Sequence, residues 1–279
     1  MVGLIPFQKR NPVMKKIILA ITFSGLTALT HSALALTIED KAAFNNYLSA
    51  MAENEISGFV NSNDSVLGGE VKSYSASKII SAYHNNEVAA DKEFKGKPVR
   101  IKTVAYAIKK DFSGDAFIVA TGKNASETLH LKVNGDDERI QKINRGGKTD
   151  FVCIGKGMVI GTPILESCVY PKDFGESVFS SMSQSLSKVE GKSYKPRSQL
   201  EISLLAAYLA IEKEIKEGCS KDKKSCSSIA MEHIKNMKMP GSMTEGNQVE
   251  IKKLLDSSKS LPIITYKPME KTRLLKLLE

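Results

Sequence analysis

The chain has 279 residues, with 40 Lys and Arg against 31 Asp and Glu, a formal net charge of +9 at pH 7, four cysteines and no tryptophan. A mild positive balance permits an anionic partner without demanding one. The sequence holds no His-Glu-x-x-His, Gly-x-Ser-x-Gly, Gly-x-Gly-x-x-Gly or P-loop pattern, which excludes the enzyme classes those motifs mark.

The N-terminus has the order of an export signal. Met14-Lys15-Lys16 is a basic start, Ile17 to Leu29 is apolar, and "THSALA" closes with small residues at Ala33 and Ala35. This predicts a secretory signal peptide over residues 1–35, cleaved before Leu36. The apolar run is about 13 residues, short of the roughly 20 a membrane span needs. A retained N-terminal anchor is the alternative. Leu36 is not a cysteine, so the lipid-anchor pattern is absent. Residues 1–13, with Pro6 and Pro12, fit a signal poorly, and a start at Met14 stays open beside Met1. Cleavage would take four of the 40 basic residues and none of the 31 acidic ones, leaving a net charge of +5. The expected location is the periplasm or the exterior, with no stable transmembrane segment.

Residues 36–74 read as an N-terminal helix and loop. Phe44, Tyr47, Leu48 and Met51 recur at helical spacing, and "NSNDSVLGGE" breaks the pattern. A second helix starts near Ser75, with Ile79, Ile80 and Tyr83 on one side. The period then changes to two. "PVRIKTVAYAI", "AFIVAT" and "LHLKV" read as three strands. Asp136 and Asp137 open a short helix carrying Ile140 and Ile143, closed by Gly146-Gly147. Two more strands lie in "FVCIGKGMVIGTPILESCVY". Residues 173–279 read as helical, and "RSQLEISLLAAYLAIEKEIKEG" carries one stripe of Leu200, Leu204, Tyr208, Ile211 and Ile215.

The cysteines bear on fold and compartment together. β-branched residues flank the Gly161-Thr162-Pro163 break, which predicts a hairpin. If Met158 faces Pro163, the register carried outward puts Cys153 opposite Cys168. Opposed residues have Cα atoms about 4.5–5.5 Å apart, within disulfide reach. The pair is either a disulfide, in an oxidising compartment, or two buried thiols that face each other. Cys219 and Cys226 flank a short basic loop between helical stretches, and the same expectation extends to them. A zinc site there would have only His233 as a further ligand. No metal and no cofactor are expected.

Three strands, a helix and two strands is the order of an OB-fold, a five-stranded barrel. The expected class is therefore α+β: a five-stranded OB-fold β-barrel over residues 75–172, flanked by N-terminal helices and a C-terminal helical region. The residues also resemble a family. Tyr83, Asn86, Glu87, Ala90, Asp91, Phe94, Lys95, Gly96 and Lys97 in "YHNNEVAADKEFKGK", with the hairpin "CIGKGMVIGTPILESC", are similar to the opening and close of the bacterial tRNA_anti-like OB-fold family. The resemblance covers about residues 79–170. It implies a small exported or lipid-anchored protein, and its name points to nucleic acid by analogy of fold alone.

OB barrels commonly bind across their second and third strands, between the loops joining strands one to two and four to five. That places Lys109, Lys110, Phe112, Phe117, His130 and Lys132 in the candidate ligand region, with Lys156 near the hairpin. Two lysines beside an exposed ring suit a phosphate and a stacked base or sugar. The plainer reading is an ordinary polar turn in which Asp111 and Asp115 offset the lysines. No catalytic constellation is found, so no enzyme is expected. Two functions stand: a binding module for an anionic polymer, nucleic acid or glycan, or an accessory subunit of an envelope or secretion assembly whose helical region docks a protein partner.

Overall fold

The computed structural model describes residues 38–62, 65–189, 194–236 and 245–266. The predicted signal segment lies outside these residues. The described chain forms two compact units, one running from Val71 to Phe174, the other combining the residues before it with Gly175–Tyr266.

The second unit is helical. Helix α1, Lys41–Asn61, starts at Asp40, whose side chain accepts the Ala43 N–H at 2.9 Å. A short α2, Val66–Glu70, follows. Beyond the sheet come α6, Pro171–Leu186, α7, Gln199–Lys221, α8, Lys223–Asn236, and α9, Glu245–Ser258. The sequence predicts one apolar stripe on α7, yet every residue from Leu200 to Ile211 is buried. Its small residues Ala206, Ala207 and Ala210 let neighbours close on the remaining sides. Phe44 and Tyr47 of α1 meet Tyr208 at 4.7 and 5.3 Å between ring centroids. The Tyr47 hydroxyl donates to the Leu204 carbonyl at 3.2 Å. Helix α1 thus packs with the C-terminal helices, although the whole mixed unit lies between them in the chain. Inside this core Glu201 is fully buried and satisfied: it accepts from Ser185, Tyr194 and the Arg197 guanidinium. Cys219 is bonded to Cys226 across Asp222, which caps α8 by accepting the Ser225 N–H.

The mixed unit holds seven strands: β1 Lys72–Tyr74, β2 Pro98–Val104, β3 Ala107–Lys110, β4 Ala116–Thr121, β5 Thr128–Val133, β6 Lys148–Val159 and β7 Thr162–Val169. Their hydrogen-bonded order is β1-β2-β6-β7-β5-β4-β3. Five strands are expected and seven are found, in a sheet whose order is open. One addition is β1, which pairs in parallel with β2. The other arises because "PVRIKTVAYAI" is interrupted at Ala105 and Tyr106, which makes β2 and β3 out of one predicted strand. The predicted second helix is likewise two, α3 Ala76–Asn85 and α4 Glu87–Phe94, separated at Asn86, which caps α4. The short helix is α5, Glu138–Gln141, capped by Asp137. Ile101, Ile118, Leu131, Phe151 and Leu165 fill one side of the sheet, joined by Ile79, Ile80, Tyr83 and Phe94 from the helices.

The β6–β7 hairpin pairs Met158 with Pro163 and Val159 with Thr162, leaving Ile160 and Gly161 as a two-residue loop. Both have positive φ, 48° and 74°, as the turn that matches strand twist requires. The register slips by one residue between Gly155 and Gly157 and slips again between Val152 and Ile154. One bulge lies on each strand, so the two cancel, and Val152 faces Val169 in the original register. Cys153 therefore meets Cys168 as the simple register predicts. The two are bonded, with Cα atoms 4.1 Å apart.

Candidate binding face

Residues on β3, β4 and β5 alternate between the core and the opposite face. Ala116, Ile118 and Ala120 of β4, with Leu129 and Leu131 of β5, are buried in the core. The residues between them make the other face. Lys109 pairs with Phe117, and Phe117 with Lys132, so three strands contribute one row, Lys109–Phe117–Lys132. The next row is Ala107, Val119, His130 and Ile164. The two rows meet where the Phe117 and His130 rings approach to 4.6 Å between centroids, inclined by 35°. Both residues are half-buried.

The structure therefore brings Lys109, Phe117, His130 and Lys132 together. Lys110 is separated from Lys109 by strand alternation, since it pairs with Ala116, whose side chain faces the core. Phe112 stands apart at the β3–β4 turn, wholly exposed. Lys156 forms an ion pair with Glu166 at 2.8 Å.

Asp111 organises one end of the face, a role the sequence reading gave only as charge cancellation. One of its oxygens accepts the N–H groups of Ser113 and Asp115 at 3.0 and 2.9 Å, and the other takes the Lys132 ammonium at 3.0 Å. The signal was present: an aspartate that opens "DFSGD" is the residue type that folds such a turn on itself. The hydrogen bond from Lys132, followed by those from the backbone, holds the Asp111 carboxyl below its ordinary range. His130 titrates below its ordinary value. Burial is the first cause, and the charges of Lys109 and Lys132 add to it. The shift favours the uncharged imidazole at neutral pH.

The residues of the family-like opening lie elsewhere and hold the fold. The Tyr83 hydroxyl and the Lys95 ammonium donate to the two oxygens of Asp91, at 3.2 and 2.9 Å. Phe94 packs between Tyr74 and Tyr83. Gly96 donates its N–H to the Gly155 carbonyl at 2.8 Å, and Gly155 donates to the Lys97 carbonyl at 3.1 Å. The end of α4 is thereby fastened to β6 where the strand bulges. The acidic start of α5 is also structural. Asp137 caps the helix and, with Asp173, grips Arg139, whose guanidinium lies 4.4 Å from the Tyr170 ring centroid. Among the described residues no group of His, Cys, Asp and Glu is placed to hold a metal ion.

A family model described as tRNA_anti-like matches residues 9–169, more than half of the chain. The chain belongs to the tRNA_anti-like family. The match ends where β7 ends and leaves out α6 to α9. No curated protein matches this member of the family. Among solved structures, a proposed nucleic acid-binding lipoprotein from Klebsiella pneumoniae subsp. pneumoniae MGH 78578 is similar at 16% identity, over 36% of this chain and 93% of that one, with a TM-score of 0.30. No helix among the described residues is long and apolar enough to cross a membrane.

Proposed function

We propose that this protein is an exported, non-enzymatic binding module that holds an anionic polymer, single-stranded nucleic acid foremost, across the face of β3, β4 and β5. The observation that carries this reading is the Lys109–Phe117–Lys132 row with His130 against the phenyl ring. A half-exposed ring platform flanked by cations suits stacked bases and their phosphates. Family membership agrees with it. Export is supported by the signal-like order of residues 14–35 and by two disulfides, which persist in oxidising compartments.

The same reading treats β2 and β3 as the halves of one bent strand, which closes the sheet into a five-stranded barrel with β1 as an addition. Ala105 exchanges hydrogen bonds with Gly146 and Gly147 beside β6, and the next residue, Tyr106, donates to Val119 of β4. The chain thus crosses directly from the β6 side to the β4 side. The parallel β5–β7 pairing also fits such a barrel.

The test is a titration of oligothymidylate and of an anionic glycan of similar length into the disulfide-bonded protein at several salt concentrations. Binding of the oligonucleotide should weaken with salt, with a log–log slope of about −0.7 per phosphate contact. Lys109→Glu should make the slope shallower. Tighter binding of the glycan would move the assignment to a glycan ligand. No binding of either polymer at low salt would remove this function.

A further inference from the structure

The binding face looks doubly cationic, yet its charge is less than its lysines suggest. Lys132 is committed to Asp111 at 3.0 Å, and Lys156, across the sheet, is committed to Glu166. Lys109 remains exposed, in a row with Phe117. His130 sits within this group, and the groups around it come from each neighbouring strand. β3 contributes Lys109, and β4 contributes Phe117 and Val119, without charge. On β5 itself Lys132 is two residues on. β7 contributes Ile164 beside it and Glu166 farther along, with its partner Lys156 on β6, and Asp111 lies in the β3–β4 turn.

We propose that His130 is an acid-activated anion-binding residue of this face: protonated, it adds a cation in the row beside Lys109, Phe117 and Lys132 and strengthens the grip on a phosphodiester strand. This rests on the binding face proposed above. The physical ground is the missing counter-charge. The two acids of the surrounding elements are engaged: Asp111 has its oxygens taken by Lys132 and two backbone N–H groups, and Glu166 is paired with Lys156. Two neighbouring ammonium groups oppose a charge on the imidazole, and a bound phosphate would relieve that opposition. Phe117 already offers its ring to the imidazole at 4.6 Å, a favourable neighbour for an imidazolium.

The sign follows from linkage. His130 in the free protein titrates below its usual value, chiefly through burial. A bound anion raises that value, so binding takes up a proton. Affinity should therefore rise as pH falls through the bound-state value and level off below the free-state value, by about tenfold for each unit separating the two. Asp111 stays ionised over this window because its carboxyl is held low, so its pairing with Lys132 does not change.

The experiment is an oligothymidylate titration at about pH 5 and about pH 8, at fixed ionic strength, with the full chain and with His130→Gln. In parallel, the His130 imidazole is followed by NMR with and without saturating oligonucleotide. The expected result is tighter binding at the acid pH, a salt slope steeper by about 0.7, loss of both effects in H130Q, and an upward shift of the His130 titration on binding. Binding that is equal at the two pH values, or that keeps its pH dependence in H130Q, would overturn the inference and leave the face standing. Absence of binding at both pH values would overturn the face itself.

Discussion

Gly155 is where the closing hairpin meets the end of α4, and replacing it with alanine tests how the family-like residues hold the fold. A Cβ there would lie 2.2 Å from the Phe94 carbonyl oxygen and 2.7 Å from its carbon. Both are backbone atoms, so no side chain can rotate to make room. Separating the two segments would break the Gly96-to-Gly155 and Gly155-to-Lys97 hydrogen bonds, worth about 0.5–1.5 kcal/mol each. Forced overpacking adds about 1–3 kcal/mol. Gly155→Ala should therefore cost on the order of 2–6 kcal/mol. Gly114→Ala is the control. Its φ is +82° and its Cβ would meet nothing within 4 Å, so it carries only the left-handed backbone penalty of about 1–2 kcal/mol. Both variants lose the same unfolded-state freedom, and that contribution cancels in the comparison. Urea unfolding followed by far-UV circular dichroism gives the two midpoints. Gly155→Ala unfolding at or above the urea concentration of Gly114→Ala would refute the fastening of α4 to β6.

Replacing Cys153 and Cys168 together with alanine should lower stability by about 3 kcal/mol from loop-closure entropy, and replacing Cys219 with Cys226 by about 2.4 kcal/mol; thermal melts of the two double variants decide the order. Phe117→Ala should weaken oligonucleotide binding by about 1–3 kcal/mol if a base stacks on the ring, whereas Phe112→Ala, away from the platform, should change it less; fluorescence anisotropy with a labelled strand measures both. The free protein should lose stability as pH falls below the ordinary histidine value of about 6.5, because a folded-state value held down lets the unfolded chain take the proton first. His130→Gln should flatten that part of the stability profile, and an unchanged profile would contradict the assignment.

Local patterning carried much of the architecture. Period-two alternation revealed the strands, and the Gly161 break set the hairpin register that brings Cys153 to Cys168. The division at Ala105 and Tyr106 was hidden because the alternation runs through it; the interruption depends on which neighbour each residue hydrogen-bonds, and those neighbours lie far away in sequence. The short β1 was hidden for a related reason, since Lys72, Ser73 and Tyr74 become a strand only by pairing with β2. On α7 the stripe was visible and the full burial was not, because alanines are equally at home on an exposed helix face. In the candidate face, topology pointed to β4 and β5, and strand parity then separated Lys109 from Lys110. The commitment of Lys132 to Asp111 needed the fold of the turn, although the aspartate at its start signalled such a turn.

Binding of an anionic polymer on the face of β3, β4 and β5 is the proposal on which the function rests. An amide-resolved NMR titration of the folded, disulfide-bonded protein with oligothymidylate at low salt tests it most directly. Saturable shifts should centre on Lys109, Phe117, His130 and Lys132, with smaller ones at the β3–β4 turn and at Ile164. Shifts confined to α1 and α7–α9, or no saturable shifts, would contradict it.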